Sequence, residues 1–487
     1  MPALRSPASL PPHRELVACG RTILLAALLA CLAANASERR PNVLFIVVDD
    51  LNDWISVLDR SAPIRTPALE RLAQRGVTFE RAYCASPSCN PSRTAVFTGL
   101  RPSTTGVYGN ASDWRAALPG TKTLLREFKD QGYRVEGVGK VFHHHGPEFV
   151  DEASFHDFTR FPNPADTPMP REKLNKLPEF GSANTDWGVW PPDPKDHIDV
   201  RNTDDAIGRL RRLAGAKDPF FLAVGIFRPH MPFFAPADAF DEYPDAHLVM
   251  PARQPHETAG IPAGRQALDG LWFWPGMMAA DKRLPGSYRT AVRGYEACAT
   301  FADKQIGRLL DALDATGTTD RTVVVLWSDN GYHLGEKDHW EKFALWEKTT
   351  HIPLIVVAPG TTAAGGRCAR TVDLTCLYPT LMELCALRSS HPVDGRSVVP
   401  LLRNPAAAWE TPAIMTYLRS NHAIRDERWR YIRYANGDEE LYDHQADPRE
   451  WRNLAGDPAT AEIRQRLRQW LPTQNAAVAP DVRVVRR

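Results

Sequence analysis

The sequence predicts an α/β protein: a large, mostly parallel central sheet flanked by helices, then a small C-terminal antiparallel sheet with a helix. Three observations predict it. Apolar, β-branched runs recur along the chain and each stops abruptly at polar residues. Amphipathic helical patterns lie between those runs. Beyond about residue 404 the runs turn short and alternating. Continuous apolar runs mark strands buried on both faces, and strands alternating with helices mark parallel crossovers.

The first 36 residues stand apart. Arg5, Arg14 and Arg21 precede the apolar stretch Thr22–Ala34, and "ANA" (Ala34–Ala36) offers small residues to a peptidase. This is the pattern of a cleaved export signal over 1–36, and the stretch is short for a membrane span. "LLAC", ending at Cys31, gives a second reading, a lipid anchor on an exported chain. "NVLFIVV" (Asn42–Val48) is the first strand and ends in Asp49-Asp50. Thr66–Gly76 has the cap, apolar stripe and terminal glycine of a helix. "YRVEGVG" (Tyr133–Gly139) runs into Lys140, with His143 just beyond. "FFLAVGIF" (Phe220–Phe227) runs into Arg228-Pro229-His230. Phe301–Gly317 places Ile306, Leu309, Leu310 and Leu313 on one helix face. "TVVVLW" (Thr322–Trp327) ends in Ser328-Asp329-Asn330, and "IPLIVVAPG" (Ile352–Gly360) is a further strand. "PAIMTYLR", "HAIRDE", "WRYIRYA" and "EELYDH" read as the antiparallel sheet, and Ala461–Leu471 as its helix. The expected organisation is a signal over 1–36, a catalytic domain over 37–403 and a small subdomain over 404–487.

The 487 residues carry 59 basic and 58 acidic side chains, a formal charge of +1. Removing the first 36 takes away three arginines and one glutamate and leaves −1. No global basic charge remains, which argues against nucleic acid as a partner. An anionic substrate has to be met by local cations. Of eight cysteines, Cys19 and Cys31 fall in the leader, and the rest show no zinc-type paired spacing. Cys376 and Cys385 flank the helical "LYPTLMEL" with roughly 13 Å of rise between them, too far for a disulfide. Cys298, Cys376 and Cys385 are therefore expected to be buried free thiols.

In parallel sheets, ligands bind beyond the carboxyl ends of the strands. Asp49, Asp50, Lys140, His230, Asp329 and Asn330 all follow strand ends and are expected to meet there. Three clustered carboxylates repel one another unless a cation sits among them, and all-oxygen ligation suits Ca²⁺ or Mg²⁺. Arg93, Lys140 and Lys342, with His143 and His230, supply donors for a tetrahedral oxyanion. "VFHHHG" (141–146) can also be read as a metal-binding run, although adjacent side chains point apart. Cys89 lies in "SPSCNPSRTAVFTG" (Ser86–Gly99), a loop-like setting between Pro87 and Pro91, and structural cysteines more often sit in apolar runs. Thr98-Gly99 follows a plausible helical turn, so Cys89 is expected near a helix N-terminus with Arg93 one turn on.

The C-x-P-S-R of Cys89–Arg93, followed by Thr98-Gly99, resembles the signature of the sulfatases. "VVDDLND", "TPALERLAQRGVTFERAYC", "GKVFH", "FFLAVGIFRPHMPF", "WSDNGYHLGEKDHWEKFALWEKTTHIPLIVVAPG" and "ELYDHQADPREWRNLA" are similar to sulfatase segments in sulfatase order, from Pro41 to Leu454. Lys140-x-x-His143 and "GYHLGEKDHWEK" most resemble the iduronate-2-sulfatase branch and its bacterial relatives. The resemblance implies an alkaline-phosphatase-like fold and a sulfuric ester hydrolase acting on a sulfated carbohydrate. It implies that a formylglycine-generating enzyme, reading Pro91 and Arg93, oxidises Cys89 to formylglycine. It implies Ca²⁺, in preference to Mg²⁺, held by Asp49, Asp50, Asp329, Asn330 and the modified Cys89. Arg93 would hold the hydrated aldehyde, Lys140 and Lys342 would contact the sulfate, His143 would assist the gem-diol, and His230 would protonate the departing alcohol. Helices like "VDLTCLYPTLMELC" commonly carry an acid where Cys376 stands; that helix reads as structural. Two other classes fit some of these features: a phosphonate or phosphate ester hydrolase of the same superfamily, and a non-catalytic sulfated-glycan-binding protein with an unconverted cysteine.

Overall fold

In the computed structural model the described residues are 40–143, 149–160, 168–266, 268 and 272–482. The export signal and Cys31 lie outside them, as do His144 and His145. In chain order the described strands are β1 (Asn42–Val48), β2 (Val77–Tyr83), β3 (Arg134–Gly139), β4 (Asp157–Arg160), β5 (Trp187–Val189), β6 (Phe220–Ile226), β7 (Phe233–Ala235), β8 (Thr322–Ser328), β9 (His333–Leu334), β10 (Trp340–Glu341), β11 (His351–Val357), β12 (Gly366–Asp373), β13 (Ala413–Thr416), β14 (His422–Arg425), β15 (Trp429–Arg433) and β16 (Glu439–Asp443).

Eight of them form the central sheet in the order β12-β2-β11-β8-β1-β6-β3-β4. β1 lies at its middle and pairs in parallel with β6 and β8. Its side chains alternate between two apolar layers, as the pleat requires. Leu44, Ile46 and Val48 join the layer of the Ser287–Ala315 helix, with Ile306, Leu309, Leu310 and Leu313. Val43, Phe45 and Val47 join the opposite layer, with Val96 and Phe97 of the Cys89–Thr98 helix. Both faces are covered, which is why the run is apolar throughout.

Seven strands point one way and β11 runs against both neighbours, β2 and β8. The reason is local. From the end of β8 the chain stays at the carboxyl edge through residues 329–350 and enters β11 from that same edge. Pro353 cannot donate to a ladder, and the β11–β2 register shifts between Ile352 and Leu354. The helix expected over Thr66–Gly76 spans Pro67–Ala73, and Thr66 does not cap it through its side chain. Asp303 does so from the long helix, accepting from Ala68 N at 2.9 Å and Leu69 N at 3.0 Å. That long helix begins 14 residues before the expected start, Ser287 against Phe301. Its first half packs small residues such as Ala291 and Ala297, which leave no bulky apolar stripe in the sequence.

β13–β16 form the antiparallel sheet, in chain order. One face shares a core with Tyr83, Ala344, Leu345 and Trp346, and the other packs on Leu467 of the Ala461–Arg468 helix. The six cysteines among the described residues are all buried, and no disulfide joins any of them.

Candidate active site

Cys89 lies at a helix N-terminus, as expected, and not in a loop. It is the first residue of a ten-residue helix, Cys89–Thr98, that points its N-terminus at the carboxyl edge of the sheet. The early amides of a helix have no internal partner, so Pro91 fits the first turn at no cost in hydrogen bonds. Asn110 serves the turn instead: its Oδ1 accepts from Ser88 Oγ at 2.8 Å and from Asn90 N at 3.1 Å. Gly99, at φ 69°, closes the helix. The Cys89 sulfur sits 2.9 Å from Lys342 Nζ, 3.5 Å from Asp49 Oδ1 and 4.0 Å from Asp50 Oδ1. Burial pushes the thiol well above its ordinary range; Asp329 and Asp49 push the same way, against Lys342 and Lys140. An unmodified Cys89 is thus a poor thiolate nucleophile.

The adjacency of β1 and β8 brings the acids together. Asp329 N donates to Val48 O at 3.3 Å, and Asp50 N donates to Asp329 Oδ1 at 3.1 Å. Asp50 turns out of the strand in the left-handed region, at φ 61°. Tyr295 holds that turn, donating to Asp50 O at 2.8 Å and accepting from Asn52 N at 2.9 Å. Three cations answer the three carboxylates, and all three are buried. Arg93 donates to Asp329 Oδ2 at 2.8 Å and Asp49 Oδ1 at 3.1 Å, and to the carbonyls of Lys140 and Val141. Lys140 Nζ binds Asp49 Oδ2, and Lys342 Nζ binds Asp50 Oδ1 at 2.7 Å. Burial alone would raise Asp49, but Lys140, His230, Arg93 and Lys342 outweigh it and hold it well below the usual carboxylate range. Asp329 goes the other way: burial, with Asp49 and Asp50 beside it, raises it against the pull of Arg93.

The residues fit a hard dication. Ligand atoms of Asp49, Asp50, Cys89 and Asp329 all lie within 4.8 Å of one another. Two oxygens on opposite sides of a Ca²⁺ are about 4.6–5.2 Å apart. Asn330 Nδ2 donates to Asp50 Oδ1 at 2.7 Å, while Asn330 Oδ1 is buried with no hydrogen-bond partner among the described residues. A buried carbonyl oxygen beside three carboxylates, one of them raised by crowding, is a donor set for a cation.

The two histidines flank this cluster. His230 Nε2 is 3.9 Å from Asp50 Oδ2, its ring stacks on Phe227, and Nδ1 lies 2.6 Å from Met231 O. Burial, helped by Lys140, lowers His230 to about 4. His143 is packed edge-on to Phe149, and burial with Lys140 and Lys342 nearby lowers it well below the usual range. All ten residues singled out in the sequence therefore converge on one edge. Sequence reasoning missed Tyr295 and Asn110. Neither carries a signal: one lies mid-helix, the other in a polar turn. It also missed a second buried cluster, Glu347, His444 and Glu450, which Arg425 and Arg430 fill with guanidinium groups.

The model of the family described as "Sulfatase" matches residues 41–386, and that of "N-sulphoglucosamine sulphohydrolase, C-terminal" matches 335–477. The chain is a sulfatase. The sulfatase is 36% identical to a sulfatase of Formosa agariphila over 90% of this chain and 87% of that one. It is 29% identical to the iduronate 2-sulfatase of Homo sapiens over 75% of this chain and 72% of that one. Among solved structures, it superposes on a phosphonate monoester hydrolase from Silicibacter pomeroyi at a TM-score of 0.72 and 25% identity, covering 88% of this chain and 94% of that one. The fold of this sulfatase is the alkaline-phosphatase-like one, and its activity class is sulfuric ester hydrolysis.

Proposed function

We propose that this sulfatase is an exported enzyme that removes sulfate from a sulfated carbohydrate, using formylglycine made from Cys89 and a Ca²⁺ ion. The observation that carries the reading is the placement of Cys89: a buried thiol at a helix N-terminus, with Lys342 and two carboxylates around its sulfur, whose burial disfavours ionisation. Such a residue is positioned for attack but chemically unsuited to it until modified. Hydrated formylglycine supplies two hydroxyls on one carbon, one to attack sulfur and one to expel sulfate and restore the aldehyde, a release step that a simple serine or cysteine ester lacks. Asp49, Asp50, Asp329 and Asn330, with the modified residue 89, would hold the Ca²⁺, which supplies Lewis-acid polarisation of an oxygen on sulfur and a lower pKa at the attacking hydroxyl.

The chain's own residues do the rest. Arg93 fixes Asp49 and Asp329 and lies one helical turn from residue 89, where its guanidinium orients the nucleophilic hydroxyl. Lys140 and Lys342 supply positive charge to the sulfate oxygens, and the helix N-terminus adds its free amides. His230 stands at the partly open side of the cluster; the negative charge of a bound sulfate offsets Lys140 and favours its protonated form, which then protonates the departing oxygen, as a sugar alkoxide needs because it leaves poorly. His143 takes part in opening the hydrate. The carbohydrate assignment is supported by the likeness to iduronate 2-sulfatase and by the Lys140-x-x-His143 spacing.

The test is peptide mass spectrometry across Ala85–Arg93 of active enzyme, with Cys89→Ala beside it. The expected result is loss of sulfur from residue 89 and an inactive variant. An intact thiol in protein that releases sulfate at full rate would refute the mechanism. The likeness to a phosphonate monoester hydrolase favours a second reading, action on phosphonate or phosphate esters. Paired assays on sulfate and phosphonate esters of one sugar decide between the two, with sulfate expected to be the faster.

A further inference from the structure

Buried cations are paired almost without exception, because an unpaired charge out of water is costly. Arg265 breaks that rule. It is 1% exposed, and none of Nε, Nη1 and Nη2 has a hydrogen-bond partner among the described residues. Its guanidinium lies 4.8 Å over the Trp346 ring, and the residue borders a cavity of about 470 Å³. Lys337, also buried, shares that wall, 4.9 Å over the same ring. Trp274, Met278 and Ile261 supply apolar wall, and Thr258, Gln266 and Asp338 supply polar wall.

The acids nearby are already engaged. Glu440 accepts from Trp346 Nε1 at 2.8 Å and from the hydroxyls of Tyr434 and Tyr442. Asp338 accepts from Trp274 Nε1 at 3.0 Å and from Arg253, and Glu257 accepts from Arg253 at 2.8 Å. Glu450 pairs with Arg430 and His444. His333 and His339 pack against each other and His339 against Trp346, and neither ring nitrogen of His339 has a partner among the described residues. Arg265 thus offers five donors in a planar fork, matched to a carboxylate or a sulfate, and none of the described residues takes them.

We propose that this cavity is a second anion site, which takes a carboxylate or sulfate on a sugar neighbouring the one being desulfated. The saccharide part of this assignment rests on the sulfated-carbohydrate reading above; the anion part rests on Arg265. The cavity is within reach of the reaction centre. Trp346 is four residues from Lys342, so their Cα atoms are at most about 14 Å apart, and Phe343 N donates to Pro87 O at 3.1 Å beside Cys89. A chain bound at both points would be selected for a second acidic group as well as for the scissile sulfate.

The experiment uses the full-length enzyme and two variants: Arg265→Met, which keeps the stem on Trp346 without the charge, and Arg265→Lys, which keeps the charge without the fork. Calorimetry is run with inorganic sulfate, with glucuronic acid and with a desulfated uronate-containing disaccharide. Kinetics are run on 4-nitrocatechol sulfate and on a sulfated, uronate-containing oligosaccharide. Loss of one charge-assisted pair is expected to weaken disaccharide binding and raise the oligosaccharide KM about 10- to 100-fold in the Met variant, with kcat and the aryl sulfate constants unchanged. The Lys variant should recover part of the loss, and it carries the test if the Met variant fails to fold. Sulfate also binds the reaction centre, so the part of the binding that is lost in the Met variant is compared: a larger loss for sulfate identifies the group as a sulfate, a larger loss for glucuronic acid as a carboxylate. Unchanged binding and unchanged KM in both variants overturn the site while leaving the sulfatase reading intact. Arg265-dependent disaccharide binding in an enzyme that hydrolyses no sulfated sugar upholds the site and overturns the substrate reading.

Discussion

Three carboxylates share one pocket with three ammonium or guanidinium groups, so the charges of Asp49, Asp50 and Asp329 are balanced before any ion or substrate arrives. The arrangement still costs something, since Asp329 is pushed up by burial and by its two acidic neighbours. Asp329→Ala is expected to cut turnover by about 10²-fold or more while the far-ultraviolet spectrum stays native, because it removes a ligand and an Arg93 partner but no core packing. Full activity in that variant, or in enzyme stripped by a chelator, would dispose of the metal site. Asp53 makes a cleaner electrostatic test. Lys348 Nζ lies 2.8 and 3.0 Å from its two oxygens and His351 Nδ1 lies 3.1 Å from one. Burial alone would raise it, but these partners lower it from the ordinary 3.8 to about 2. A folded-state value below the unfolded one contributes stability that is complete above about pH 4 and disappears as pH falls through about 2. The difference corresponds to about 2 kcal/mol. Urea unfolding of Asp53→Asn should therefore show its full deficit against wild type at pH 6 and a shrinking deficit from pH 4 to pH 3. A deficit independent of pH would show that the ion pair is not its source.

At the scale of elements, the site depends on how closely strand ends approach one another. Gly139 and Gly225 are register partners at the ends of β3 and β6. A Cβ on Gly225 would fall 2.1 Å from the carbonyl carbon of Lys140 and 2.5 Å from its nitrogen, and Gly139 holds φ 78°. Backbone cannot move aside as a flexible side chain can. Gly225→Ala is expected to displace Lys140, costing several-fold or more in kcat/KM and several degrees in Tm, whereas Gly208→Ala, with open space around it, should cost neither. Equal behaviour of the two variants would show that the close approach is not needed. These elements also show what was legible in the sequence. β1, β6, β8 and β11 were readable because each is an apolar run buried on both faces, and Asp49, Asp50, His230, Asp329 and Asn330 were readable because they follow such runs, whereas Cys89, Arg93 and Lys342 were readable from the segments that resemble the sulfatases. β2 was not, since "VTFERAY" puts two charged residues in its middle. The reversal of β11 was not, since hydrophobic period carries no strand direction. The helix that begins at Cys89 was legible from Thr98-Gly99 despite two prolines that usually mean loop, but the Asp303 cap was hidden by the 235 residues separating it from Ala68.

Across the whole molecule, the C-terminal sheet completes a core that the large sheet leaves open. Tyr83, Leu345 and Trp346 share one buried cluster with Met415, Tyr417, Ile432 and Tyr442 of the C-terminal sheet. Glu347 is buried against Arg425, Arg430 and His444, which hold it well below its ordinary range despite its burial. The last described residues return to the other half of the protein: Ala476 N donates to Ser103 O, Ala479 N to Gly106 O, and Asp113 N to Pro480 O. Those contacts flank Asn110, which serves the Cys89 helix. A chain ended at Arg403 would expose three large apolar side chains at about 1.5–3 kcal/mol each. It would also leave one carboxylate stripped of its buried partners, at about 3–5 kcal/mol. Domain stabilities are about 5–15 kcal/mol in total, so the loss takes most or all of it. The truncated protein is expected to lack near-ultraviolet ellipticity, to bind an apolar dye and to have no activity. Arg430→Leu in the full chain should give a milder form of the same defect, a lowered Tm with a native spectrum. A truncated chain that melts cooperatively and still hydrolyses a sulfate ester would show that residues 404–487 are an addition to a self-sufficient catalytic domain and not part of its core.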